Sequence, residues 1–138
     1  MTGMPAAAGE IGIKTWAGFV AMTFGMFMAI LDTQIVASSL PEIQTGLDIR
    51  LGQLSWVQTA YLMAEIVAIP LTGWLTRLLS TRGAFLACIC GFTAGSLACA
   101  GSFSFWSLVP ARVVQGFCGG ALIPLVFSAV FLMFQWPA

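Results

Sequence analysis

Four membrane-spanning α-helices packed side by side are what this sequence predicts, and three observations carry the prediction. Only 7% of the residues are charged, whereas a water-facing domain keeps roughly a quarter. Mean hydropathy is +0.98. The apolar residues also fall into four runs separated by short polar links, each run near the ~20 residues a helix needs to cross the hydrocarbon core. The fold class expected is all-α, a polytopic membrane protein.

Taken in order, residues 1–14 read as a tail and 15–138 as a transmembrane domain. The first helix is expected at 15–37. Its apolar run is longer than the roughly 7–15 residues of a signal-peptide core, so it is retained in the protein. A polar connector with Pro41, Glu42, Asp48 and Arg50 follows. The second helix is expected at 53–75, leading into a short basic turn with Arg77 and Arg82. The third is expected at 84–102. The next link is so short that the fourth helix, expected at 108–134, lies antiparallel beside the third. Lys14, Arg77 and Arg82 fall on one side of the membrane and Arg50 on the other, so the positive-inside rule places the N-terminus in the cytoplasm.

Lipid gives helices no hydrophobic reason to associate, so small residues that let backbones approach mark the contacts. Gly91 and Gly95 supply such a stripe on the third helix, between Ala87 and Cys99; Gly116, Gly119 and Gly120 supply one on the fourth. Cys88, Cys90, Cys99 and Cys118 lie in apolar runs and read as small hydrophobes. Five basic and five acidic residues balance, which gives no electrostatic case for nucleic acid. Histidine is absent. With no nucleophile–base pair, metal cluster or phosphate loop in view, neither an enzyme, a metal site nor a cofactor is expected.

Three ionisable groups lie at membrane depth, where charge is costly and normally meets a partner or a water-filled cavity. Asp32 stands about five residues before the outer end of the first helix, and Arg112 about five residues into the fourth from the same side, so at ~1.5 Å per residue their depths match. An Asp–Arg pair there lowers the burial cost of both. Two readings stand for it: a static pin between helices, or a switch in which separation lets the carboxylate take up a proton. Glu65 lies near the midplane of the second helix, in line with Gln58, Tyr61 and Thr72 on one helical face. It reads either as a proton- or cation-binding group in a cavity or as a neutral acid bonded to a neighbouring helix. Arg112, Gln115, Gly116, Gly119 and Ile123 share one face of the fourth helix, suited to lining a passage. Pro70 and Pro124 lie inside helices, where each removes a backbone hydrogen bond.

Residues 31–41 (LDTQIVASSLP) resemble the motif that ends the first helix in drug:proton antiporters of the major facilitator superfamily. Residues 111–124, from Ala-Arg-Val-Val-Gln-Gly to Ile-Pro, resemble that superfamily's fourth-helix motif, and residues 69–75 (IPLTGWL) are similar to the second-helix exit of its fourteen-helix EmrB/QacA branch. The resemblance implies an N-terminal piece, helices one to four, of a permease that exports hydrophobic or amphipathic small molecules in exchange for protons. It implies a multi-pass protein of the bacterial plasma (inner) membrane. Asp32 and Arg112, with Glu65, would serve proton coupling. Gln58, Tyr61, Glu65 and Gln115 would line the substrate cavity. Gly73, Arg77 and Arg82 would form the cytoplasmic gating loop. A periplasmic adaptor and an outer-membrane channel commonly complete such pumps. The gating loop departs from the family pattern: Arg77 stands where an acid is usual and Ser80 where a second glycine is usual. Superfamily transporters rock two six-helix halves around a midplane site, so four helices alone are expected to be inactive and unstable. The alternatives are a complete four-helix antiporter of the small-multidrug type, dimerising around Glu65, and a non-transporting membrane assembly or regulatory partner.

Overall fold

A computed structural model describes residues 12–133. Four helices follow one another: α1 (Ile13–Ser38), α2 (Leu40–Leu47), α3 (Leu51–Ala100) and α4 (Phe105–Met133). Three are long and apolar enough to cross a membrane. α3 has 50 residues and crosses twice, because its backbone leaves the helical region at Ser80 (φ 61°, ψ 164°). The membrane is thus crossed four times, as the hydropathy runs require. The expected tail 1–14 lies outside the described residues up to residue 11, as do residues 134–138.

The borders differ from expectation in two places, each for a local reason. The turn expected at 77–83 shrinks to one residue. Helical backbone runs through Arg77 on one side and Arg82 on the other, since Thr, Arg and Leu sustain a helix wherever nothing breaks it. The link expected at 38–52 contains the two-turn helix α2. Pro41 opens it, with its fixed φ suited to a first turn, and Glu42 follows in that turn. Leu40, Ile43 and Leu47 give it one apolar face. Asp48 closes it in the left-handed conformation (φ 49°), and the Ile49 N–H donates to the Gln44 carbonyl at 3.2 Å.

α4 is the centre of the bundle. Half of its most apolar stretch is buried, against 17% for α1 and for α3. The first arm of α3, residues 51–79, runs parallel to it: Tyr61 lies against Gly116, and Glu65 against Gly120. The second arm, 81–100, runs antiparallel, with Gly95 against Gln115 and Gly91 against Cys118. α1 is antiparallel too: Asp32 meets Arg112, and Met22 packs near Val126 and Ala129. The Ser80 break and the start of α1 therefore share one end of the bundle, and α2 lies at the other. Lys14, Arg77 and Arg82 fall together at the first end.

Small residues set the spacing of this bundle. A Cβ on Gly116 would strike the Tyr61 backbone, and one on Gly120 would lie 2.7 Å from the Glu65 Cα. Only hydrogen at these two positions lets α4 approach the first arm so closely. Where the elements meet, the core is Ala29, Ala68, Ala84, Cys88, Ala121 and Leu122, close packing of the kind that substitutes for hydrophobic drive in lipid. Cys88 is filler there, as its run suggested. Large apolar side chains such as Phe24, Ile66, Leu86, Leu97 and Phe131 point outward. Thr23, Thr72 and Thr93 donate their hydroxyls to carbonyls one turn back, so their polar atoms need nothing from lipid.

Candidate functional site

Asp32 reaches the bundle interior from α1, Arg112 and Gln115 from successive turns of α4, and Ser96 and Cys99 from successive turns of the second arm of α3. The i, i+3 spacing puts each of the last two pairs on one face of its helix. One Arg112 nitrogen, Nη1, donates to Asp32 Oδ2 at 2.9 Å and to Gln115 Oε1 at 2.7 Å. Gln115 Nε2 donates to Asp32 Oδ1 at 2.9 Å and lies 2.7 Å from the Ser96 hydroxyl. The Cys99 thiol donates to Gln115 Oε1 at 3.5 Å. The guanidinium carbon of Arg112 sits 4.4 Å from the centre of the Tyr61 ring, a cation–π contact supplied by the remaining arm. All four membrane crossings thus meet at one ion pair.

The network satisfies Asp32 fully and Arg112 only in part. Both carboxylate oxygens accept a hydrogen bond. Arg112 is 1% exposed, yet its Nε and Nη2 find no acceptor among the described residues. A guanidinium with orphaned N–H groups in a low-dielectric interior is costly, on the order of 1–3 kcal/mol per buried unsatisfied group and more where it is charged.

Two clefts border the network. The larger, about 340 Å³, lies at the α2 end and is lined by Asp32, Arg112, Gln115, Ser96, Cys99 and Ser102, with Ile43, Gly46 and Leu47 of α2. The smaller, about 180 Å³, lies between α1 and the first arm of α3 and is lined by Ala29, Ile30, Thr33, Gln34, Tyr61, Glu65 and Ile123. Tyr61 belongs to both neighbourhoods, since its ring faces Arg112 and it also lines the Glu65 cleft.

The residues singled out from the sequence are distributed as follows. Asp32 and Arg112 are paired. Tyr61 and Glu65 share the smaller cleft, whereas Gln115 belongs to the larger one and Gln58 lines neither. The Gln58 Oε1 is buried without a donor among the described residues. The face expected to join Arg112, Gln115, Gly116, Gly119 and Ile123 is divided among neighbours: the first two meet Asp32 and Ser96, the two glycines lie against Tyr61, and Ile123 borders the Glu65 cleft. Asp32 finds its partners within these four crossings, as its depth matched to Arg112 suggested. Gly73, Arg77 and Arg82 are exposed near the Ser80 end, apart from both clefts. Ser96, Thr33 and Gln34 escaped the sequence reading. Thr33 and Gln34 lie in the 31–41 motif without having been singled out from it, and the only signal for Ser96 was a polar side chain inside an apolar run, which a backbone carbonyl can satisfy equally well. Cys99 was read as filler, and its thiol instead touches the network.

The fold and site define a polytopic helical membrane protein with a charged network at its centre, and comparison with known proteins specifies its family. The family model for the Major Facilitator Superfamily matches residues 22–135. The chain is 52% identical over 122 residues to Colistin resistance protein EmrB of Acinetobacter baumannii, covering 88% of this chain and 24% of that protein. It is 38% identical over 106 residues to Multidrug export protein EmrB of Escherichia coli K12, covering 77% and 21%. It is 36% identical over 121 residues to Fatty acid resistance protein FarB of Neisseria gonorrhoeae, covering 86% and 24%. No solved structure matches. The chain belongs to the major facilitator superfamily, as a multi-pass membrane protein of the type found in bacterial inner membranes. It spans about a quarter of the length of these relatives. Membership sets aside the small-multidrug alternative.

Proposed function

We propose that this chain supplies the first four helices of a proton-coupled exporter of hydrophobic or amphipathic small molecules, with Asp32 as the proton-binding group. The observation that carries the reading is the Asp32–Arg112–Gln115 network. As a carboxylate, Asp32 accepts from Arg112 and Gln115 and so ties α1 to α4. A proton on Asp32 removes the charge that Arg112 Nη1 meets and weakens two charge-assisted bonds at once. Arg112 can then turn to another acceptor, and α1 is freer to move against α4. Proton binding and helix position are thereby linked.

Glu65, with Tyr61, Thr33 and Gln34 around it, provides an acidic and aromatic cleft for the exported molecule. Gln58 and Gln115, which lie outside this cleft, have no part in its lining. Gly73, Arg77 and Arg82 form the inner gating segment, with the N-terminus in the cytoplasm. The relatives' printed names, which speak of colistin resistance, multidrug export and fatty acid resistance, agree with an amphipathic cargo. A periplasmic adaptor and outer-membrane channel are proposed as partners.

The test is a chimera in which the matched residues of this chain replace those of the E. coli relative. Drug export that collapses when the proton gradient is dissipated is the expected outcome, and Asp32→Asn should abolish it. Undiminished gradient-driven export by the Asp32→Asn chimera would refute the role given to Asp32.

A further inference from the structure

Three buried side-chain atoms are left without a hydrogen-bond partner among the described residues: the Gln58 Oε1 acceptor and the Arg112 donors Nε and Nη2. Their chemistry is complementary. A carbonyl lacking a donor and a guanidinium lacking acceptors are each costly when desolvated, and a single hydrogen bond between them would relieve both. Gln58 lines neither cleft, and all three atoms are sealed from solvent. Other protein groups are therefore what can meet them.

Both side chains are arranged around Tyr61. Gln58 stands one turn before Tyr61 on the same face of the first arm of α3, and the Arg112 guanidinium carbon lies 4.4 Å from the centre of the Tyr61 ring. The register of the two parallel helices agrees. Tyr61 lies against Gly116 and Glu65 against Gly120; carried back one turn, Gln58 is level with Val113, the neighbour of Arg112. The orphaned acceptor and the orphaned donors thus share one depth, with an aromatic ring beside both. What holds them apart is the far side of the network. Arg112 Nη1 donates to Asp32 Oδ2 at 2.9 Å and to Gln115 Oε1 at 2.7 Å, and these bonds turn the guanidinium towards α1.

We propose that Gln58 is the second acceptor of Arg112, engaged when Asp32 is neutral. A proton on Asp32 removes the charge that Nη1 meets. The guanidinium then turns across the Tyr61 ring, keeping its cation–π contact, and donates from Nη2 or Nε to Gln58 Oε1. α4 becomes tied to the first arm of α3 in place of α1. Gln58 is a positioning residue: it acts on Asp32 through Arg112, and by stabilising the neutral state it increases the affinity of Asp32 for a proton. The other titratable groups around the pair are Tyr61 and Glu65 on the first arm of α3 and Cys99 on the second; α2 presents only Ile43, Gly46 and Leu47 to it. The inference rests on the coupling role proposed for Asp32 and names the acceptor to which that role sends Arg112.

Infrared difference spectroscopy on the chimera tests it without transport. The protein is prepared with glutamine carrying carbon-13 at the side-chain carbonyl, and the Gln58 band is the one missing from Gln58→Met. Asp32→Asn, which stands in for the neutral acid, should move that band to lower frequency, as a carbonyl gaining a charged donor does. In a pH titration, the carboxyl band lost in Asp32→Asn reports Asp32 itself. Gln58→Met should raise the proton concentration for half-protonation about tenfold, in line with a hydrogen bond to a charged group, and should have no such effect once Arg112 is replaced by glutamine. Should Arg112→Gln fail to fold, the carbonyl shift stands as an independent reading. A Gln58 band identical in the parent and in Asp32→Asn, an Asp32 midpoint unmoved by Gln58→Met, or the same midpoint shift in the absence of Arg112 would each overturn the switch. A shifted Gln58 band together with undiminished gradient-driven export by Asp32→Asn would instead refute the coupling role and leave the exchange of partners standing.

Discussion

Replacing Ser80 by glycine should stabilise this protein, although Ser80 is exposed and touches almost nothing. Its backbone sits at φ 61°, ψ 164°, a region open essentially to glycine alone and costing other residues ~1–3 kcal/mol. Glycine removes that strain. It adds ~0.5–1 kcal/mol of backbone entropy to the unfolded chain and gives up the weak contact between the Ser80 hydroxyl and the Gly83 N–H at 3.4 Å. The balance is a gain of about 1 kcal/mol, or roughly 4 °C in melting temperature for a chain of this size. Ser80→Val should move the other way, because a β-branched side chain tolerates this backbone least. Thermal unfolding in detergent micelles, followed by circular dichroism, reads all three proteins. The expected order is glycine above serine above valine. A loss of ~1 kcal/mol on Ser80→Gly, the ordinary penalty of glycine inside a helix, would mean that Ser80 is helical and that α3 does not fold back there.

Other consequences can be checked in the same preparation. Gly116→Ala drives a Cβ into the Tyr61 backbone and should cost ~1–3 kcal/mol through overpacking. Gly73→Ala meets nothing within 4 Å and should be neutral or stabilising by up to ~1 kcal/mol; equal melting shifts for the two would contradict the packing described. Asp32→Asn should cost ~3–5 kcal/mol by leaving Arg112 buried without its counter-ion. Combined with Arg112→Gln it should lose at least ~1 kcal/mol less than the sum of the single changes, and strict additivity in unfolding midpoints would deny the contact. Tyr61→Leu should cost ~2 kcal/mol by removing the ring beneath a desolvated guanidinium, whereas Tyr61→Phe should retain most of it.

Much of this architecture is legible in one dimension because the membrane is a one-dimensional constraint. The lengths of the apolar runs fix the number of crossings, and the places where Lys14, Arg77 and Arg82 fall group the ends. At 1.5 Å per residue the positions of Asp32 and Arg112 fix their depths, so their pairing could be anticipated before any contact was known. The motifs at 31–41 and 111–124 carried the family. Even α2 left a signal, since Pro41 followed by Glu42 and an apolar i, i+3, i+7 face is a short helix whose shortness hid it.

What the tertiary structure alone decided is how the helices are turned towards one another. Depth and face within a helix follow from its period, but which neighbour that face meets depends on packing among all four crossings. That packing is set by hydrogen-sized gaps such as Gly116 against Tyr61 and Gly120 against Glu65. For this reason Ser96 and Cys99 join the Asp32 network, Gln115 parts company with Glu65, and the polar interior divides into two clefts with Tyr61 between them. The single-residue reversal at Ser80 belongs here too. Its serine does not favour a left-handed backbone, and only the close fit of both arms of α3 against α4 holds it there.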